Sequence, residues 1–190
     1  WVSMNSGVSP LIFEIGSISK VFTTFLLAQA VAEGRLALSD PVQDHLPDTV
    51  QLMLSDDVPI TLEHLATHTS GLARMPSNYS ATYLGGSANP FAGYEIDAMY
   101  DHLSSVRPAR SPGGTPVYSN LGMGLLGHVL ELREGAEYEA LVIDRICRPL
   151  QMNDTCCTPK GPLLDQLAGA HDGLRPIDAF LDLMQNSVSF

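Results

Sequence analysis

Basic side chains are scarce: of 190 residues, 10 are Lys or Arg against 21 Asp or Glu, a formal net charge of −11. Such a surface repels phosphate backbones and anionic lipid, so nucleic-acid and membrane-surface binding are excluded as leading functions. Long apolar runs are absent too; none reaches the roughly 18 residues that argue for a membrane span. Cysteine is limited to Cys147, Cys156 and Cys157. An odd count without paired spacing excludes a disulfide framework and a zinc site built on Cys pairs. The vicinal Cys156 and Cys157 read as small apolar residues near a loop rather than a redox centre. No Gly-rich phosphate loop and no Gly-x-Ser-x-Gly elbow occurs. The chain opens at Trp1 with no segment of the signal-peptide pattern, so the compartment is not read from a targeting segment. What is present is a hydrophobic fraction of 45%. That excludes a wholly disordered chain, and the length suits one domain with a real core, or one large domain plus a fragment of another.

The spacing predicts a helix from Ser17 to Glu33, where no Gly or Pro intervenes and Gly34 stands at the C-terminal cap position. It is apolar on most sides, so burial in the middle of a domain is expected. Leu11-Ile12-Phe13 before it reads as the tail of a strand. Leu36 to Pro47 reads as loop with a helical turn, and Thr61 as the N-cap of a helix over Leu62–Thr67. Breakers crowd residues 73–95, which predicts a long surface loop. Further helices are expected at Ile96–Val106, Ser119–Arg133, Tyr138–Cys147 and Ile177–Met184, with a Pro- and Gly-dense turn at Pro108–Pro116. Strand signals are few.

Only two lysines occur, Lys20 and Lys160. Lys160 lies in a Thr-Pro-Lys-Gly-Pro turn, where exposure is the natural reading. Lys20 lies in the most apolar helix, three residues after Ser17, and residues three apart share a helix face. An amine in apolar surroundings favours its neutral form and shares a proton with a nearby hydroxyl. That is one way to activate a serine nucleophile, and a helix N-terminus adds N–H groups suited to an oxyanion. The alternative is that Lys20 snorkels to the surface and Ser17 merely caps. Tyr118-Ser119-Asn120 is the second cluster. A tyrosine beside a cation can serve as a base, and an Asn amide can orient a substrate amide; alternatively, the segment is a helix cap with a packed Tyr. His64 and His68, read on the short helix four residues apart, invite a metal. Leu65, Ala66 and Thr67 lie between them, without the glutamate of His-Glu-x-x-His, and a structural role bonding a loop carbonyl is favoured. His171-Asp172-Gly173 is read in a turn rather than a strand, and Asp56-Asp57 as a solvated turn.

Together these segments resemble the serine β-lactamase and penicillin-binding protein superfamily, specifically its class C-like branch. Phe13-Glu14-Ile15-Gly16-Ser17-Ile18-Ser19-Lys20-Val21-Phe22-Thr23 is similar to the family's nucleophile segment. The stretch from Gly34-Arg35-Leu36 to Leu38-Ser39-Asp40-Pro41-Val42 resembles the family's next segment. Ile60 through Leu72, with His68-Thr69-Ser70-Gly71-Leu72, is similar to a common signature. Pro112-Gly113, then Tyr118-Ser119-Asn120-Leu121-Gly122, resembles the Tyr-x-Asn element, and Arg148-Pro149-Leu150-Gln151-Met152 continues the pattern. Their ordered co-occurrence is far more specific than any one motif.

The resemblance implies an α+β, β-lactamase/transpeptidase-like fold, of which this chain holds mostly the helical part with the antiparallel sheet largely missing. It implies Ser17 as the acylated nucleophile, Lys20 as its proton partner, Tyr118 as general base and Asn120 as a substrate contact. It also implies an oxyanion hole from the Ser17 N–H and a late strand carrying Lys-Thr-Gly or His-x-Gly. That strand is not found before Phe190, and the domain reads as incomplete at both ends: a fragment, a truncated homologue, or a chain completed by a second or swapped chain. The expected activity is serine hydrolysis through an acyl-enzyme, without metal or other cofactor. The substrate is a small molecule or peptide: a β-lactam, a D-Ala-type peptide or a carboxyl ester. His-Thr-Ser-Gly-Leu with Tyr-Ser-Asn points to an esterase or peptidase-like member. A periplasmic or secreted location is implied by the resemblance alone. The rival is a non-catalytic interaction module that keeps the helical scaffold and uses the 73–95 loop for a partner.

Overall fold

A computed structural model describes residues 2–4, 11–79, 94–168, 170–172 and 175–177. The central element is a helix, α4 (Asn120–Glu134), in which every residue from Leu121 to Leu130 is buried. Ser119 caps it, accepting the Gly122 N–H at 2.8 Å, and Gly135 closes it in the left-handed region at φ 65°. Cap and terminator therefore fall where the side-chain chemistry puts them. Space is also tight at Gly122, where an added Cβ would lie 3.2 Å from Ser119 Oγ and 3.4 Å from Ser70 Oγ.

Around α4 pack α1 (Ser19–Ala32), α2 (Leu62–Ala66) and α5 (Tyr138–Val142). Thr23 Oγ1 and Tyr138 Oη, both in buried side chains, meet at 2.7 Å and pin α1 to α5. Thr61 caps α2 in a reciprocal box: its side chain accepts the His64 N–H, and His64 Nδ1 accepts the Thr61 N–H at 3.1 Å. A further helix, α3 (Ile96–Ser105), turns Met99, His102 and Leu103 inward. The helix expected over Tyr138–Cys147 is α-helical only to Val142. It then widens into i→i+5 turns, with Arg148 N–H on Ile143 C=O at 2.8 Å, before Pro149, which has no N–H to extend the ladder.

Strands are short. Val2–Met4 (β1) pairs antiparallel with Leu11–Phe13 (β2), and Ala170–Asp172 (β3) with Arg175–Ile177 (β4). His171 thus lies in a strand, not in the turn its glycine neighbourhood suggests. Ile177 belongs to β4. The rest of the helix expected from there, and residues 80–93 of the expected long loop, lie outside the described residues. The mostly helical chain with little strand agrees with the partial α+β expectation. No helix among the described residues is long and apolar enough to cross a membrane.

The burial expected for a helix apolar on most sides is met on one face of α1. The helix is covered on one side only: Lys20, Thr23, Leu26, Leu27 and Ala30 are buried, while Ile18, Val21 and Phe25 are exposed at 61%, 63% and 46%. A run apolar all round carries no mark of which face the fold covers.

At the far ends of α1 and α4, Glu134 meets both Arg35 and Arg145, and Glu33 accepts from Arg35 at 2.9 Å. The Glu134 side chain is only 10% exposed, so removing its charge leaves Arg35 and Arg145 to share the more exposed Glu33 alone. Glu134→Gln is expected to cost about 2 kcal/mol, seen as a fall of about 5 °C in Tm. An unchanged Tm would mean that the network adds nothing.

Candidate active site

Gly16 adopts φ 51°, and this left-handed step starts the short 3-10 turn Gly16–Ile18 that feeds α1. The step leaves Ser17 exposed just ahead of the helix, while Lys20, one turn later, is 7% exposed. Lys20 therefore does not snorkel. Its Nζ donates to Ser17 Oγ at 3.4 Å. From the other side, the Tyr118 hydroxyl donates to the same Ser17 Oγ at 2.6 Å. Ser17, Lys20 and Tyr118 thus meet although Tyr118 is 101 residues away in sequence.

Tyr118 is held by its surroundings. It lies on the approach to α4, whose N-terminal Asn120 N–H donates to Arg74 C=O at 2.9 Å. The Ser119 hydroxyl donates to Ala73 C=O at 2.7 Å. The His68 ring stacks on the Tyr118 ring with centroids 4.7 Å apart, and His68 Nδ1 accepts the Ser119 N–H at 3.2 Å. Two cations face the Tyr118 ring: Lys20 Nζ at 5.1 Å and Arg74 Cζ at 5.0 Å from its centroid. Burial pushes the Tyr118 phenol up. Hydrogen bonding to Ser17 and Lys20, with the charges of Lys20 and Arg74, outweighs it, and the phenol ends below the usual 10.0. Burial, helped by the Lys20 charge, holds His68 below 6.5. At neutral pH the stacked ring is therefore an uncharged imidazole with its proton on Nε2.

Asn120 opens α4 two residues past Tyr118. Its Nδ2 donates to Met75 Sδ at 3.4 Å, while its Oδ1 is buried with no hydrogen-bond partner among the described residues. Such an acceptor is suited to an incoming N–H.

The histidine pair does not share a helix face. α2 ends at Ala66, and His68 lies beyond it at φ 58°. Both rings accept backbone N–H groups rather than binding a loop carbonyl. Among the described residues, no group of three His, Cys, Asp or Glu side chains could hold a metal. Lys160 is exposed. None of the three cysteines is in a disulfide, and burial raises each thiol, Cys157 to about 12. They are not poised as thiolates. Arg74 and the ring stack of His68 were not singled out from sequence; a side chain crossing from a loop leaves no spacing to read.

The chain is similar to several known proteins. The chain is 32% identical over 167 residues to the D-alanyl-D-alanine-carboxypeptidase/endopeptidase AmpH of Escherichia coli (strain K12), covering 87% of this chain and 42% of that protein. It is 31% identical over 148 residues to esterase EstB of Burkholderia gladioli, covering 75% of this chain and 38% of the relative. The crystal structure of a β-lactamase/D-alanine carboxypeptidase from Yersinia pestis superposes with a TM-score of 0.73 at 30% identity, covering 85% of this chain and 46% of that one. The chain thus spans less than half the length of these relatives. A family model described as Beta-lactamase matches residues 11–187, and the chain belongs to that family.

Proposed function

We propose that residues 1–190 are part of a single domain of a serine hydrolase that acts through a covalent acyl-enzyme on amide or ester bonds, without a metal. The observation that carries this reading is the contact of one serine oxygen with two proton-handling groups, Tyr118 Oη at 2.6 Å and Lys20 Nζ at 3.4 Å.

In this mechanism the phenolate of Tyr118 accepts the Ser17 proton, reversing the direction of their hydrogen bond. Lys20 stabilises the phenolate and keeps its own hydrogen bond to Oγ. Ser17 Oγ attacks the substrate carbonyl, and the oxyanion faces the Ser17 backbone N–H. As the intermediate collapses, the bond to the leaving amine or alcohol breaks, and Tyr118 returns the proton to that leaving group. Water then repeats the sequence on the acyl-serine: Tyr118 takes its proton, the acid leaves, and Ser17 regains its hydrogen. Asn120 Oδ1 accepts an N–H of the acyl portion. The names of the relatives span a peptidase, a β-lactamase and an esterase. The substrate is read as a carboxyl ester or D-Ala-type peptide ahead of a β-lactam. A fold shared by such different chemistries does not itself choose between them.

Turnover of p-nitrophenyl butyrate beside nitrocefin tests the reading. The ester should be hydrolysed faster, at a rate that rises with pH. No turnover of either, with no acyl adduct on the protein, would overturn it in favour of a non-catalytic interaction module.

A further inference from the structure

Lys20 accounts for one of the two cations at Tyr118; Arg74 is the other, and it comes from a different part of the chain. Its backbone is tied to the segment it faces. Arg74 C=O accepts the N–H of Asn120 at 2.9 Å and of Leu121 at 3.3 Å, fixing the loop to the first turn of α4. From that anchor the exposed side chain crosses the Tyr118 ring, with Cζ 5.0 Å from the centroid. Among the described residues it makes no ion pair. Its charge is therefore not neutralised by a carboxylate there and acts on the ring.

We propose that Arg74 is a positioning residue, a second cation that lies over the Tyr118 ring and stabilises the phenolate through which Ser17 is activated. The physical basis is the ring itself. A neutral phenol already attracts a cation to its face through its quadrupole. Ionisation spreads negative charge from Oη into that same ring, so a guanidinium over the ring gains attraction as the proton leaves. Arg suits this place better than Lys, because a planar, weakly hydrated guanidinium stacks on an aromatic face and stays charged at every working pH.

The groups facing Tyr118 are Ser17 and Lys20 from the α1 end and His68 and Arg74 from the 68–75 loop. His68 is held neutral through the range in which the phenol titrates. Lys20 and Arg74 are thus the charges that bias it, and removing Arg74 isolates its share.

This inference rests on Tyr118 as the proton acceptor, but its test does not need turnover. The chain has 6 tyrosines. The difference in tyrosinate ultraviolet absorbance between the parent chain and Tyr118→Phe isolates the titration of Tyr118. The same difference is then taken in the Arg74→Met and Arg74→Lys backgrounds, with circular dichroism confirming the fold. Arg74→Met is expected to raise the Tyr118 midpoint by about half a pH unit or more, and Arg74→Lys by less. In acylation by a fluorophosphonate, the rise of rate with pH should move by the same amount. A Tyr118 midpoint unchanged in Arg74→Met would overturn the proposal. Failure of acylation in the parent chain would instead count against the hydrolase reading and leave the spectroscopic result standing.

Discussion

Tyr118→Phe is expected to slow acylation of Ser17 by about 10²–10⁴-fold, the usual loss when a positioned base is removed. Phenylalanine keeps the ring, so the stack on His68 and the contacts with Lys20 and Arg74 survive. What is lost is the hydroxyl that reaches Ser17 Oγ at 2.6 Å. The reactive form is the phenolate, so the parent rate climbs as pH rises toward the Tyr118 pKa. Burial opposes that ionisation, but hydrogen bonding with Ser17 and Lys20 and two positive charges bring the pKa below 10.0. The climb therefore begins at lower pH than for a free tyrosine. It should vanish in Tyr118→Phe. A parent profile flat from about pH 5 to about pH 9 would count against the pairing of Lys20 and Tyr118.

Gly71→Ala is expected to give the largest loss of stability. Gly71 adopts φ 77°, where a Cβ would lie 2.0 Å from the Arg110 carbonyl oxygen and 2.9 Å from its carbon. Both partners are backbone, and neither is free to retreat. Gly113 N–H bonds Thr69 C=O at 2.9 Å, and Val117 N–H bonds His68 C=O at 2.8 Å, clamping the segments on either side of the contact. The left-handed conformation and the overpacking together cost about 2–5 kcal/mol. The corresponding fall in Tm is on the order of 10 °C. The displaced segments of this clamp carry His68 on one side and lead into Tyr118 on the other, so acylation should fall as well. An Ala variant with parental Tm would contradict the close approach of residues 71 and 110.

How much of this was legible depended on whether the cause was local. The run without Gly or Pro before Gly34, the Thr61 cap and the Ser119 cap each act within a turn of the helix they shape, and those elements were readable to within a few residues. The proximity of Ser17 and Lys20 is of the same kind, since three residues span one turn. Tyr118 joins them only through the packing of α1 against α4, which no spacing encodes; the residues alone mark it as a candidate base, and only the resemblance to a known family sets it beside Ser17 and Lys20. The four-residue spacing makes His68 a helical partner of His64 only if the helix runs past Thr67, and α2 stops at Ala66. The positive φ at His68 turns its ring onto Tyr118 instead. Arg74 escaped notice altogether, because the backbone bonds that anchor it run to α4. The exposed face of α1 shows the reverse failure: Val21 and Phe25 look like core residues, and only the tertiary structure reveals which side is covered.

The central claim is that Ser17 becomes covalently acylated because Lys20 and Tyr118 converge on its oxygen. Its most direct test is to label the chain with a fluorophosphonate or a fluorescent penicillin and locate the adduct by peptide mass mapping, with Ser17→Ala as control. The predicted result is a single adduct on the peptide containing Ser17, absent from the Ser17→Ala chain. An adduct on another residue, or label that persists after Ser17→Ala, would contradict the account.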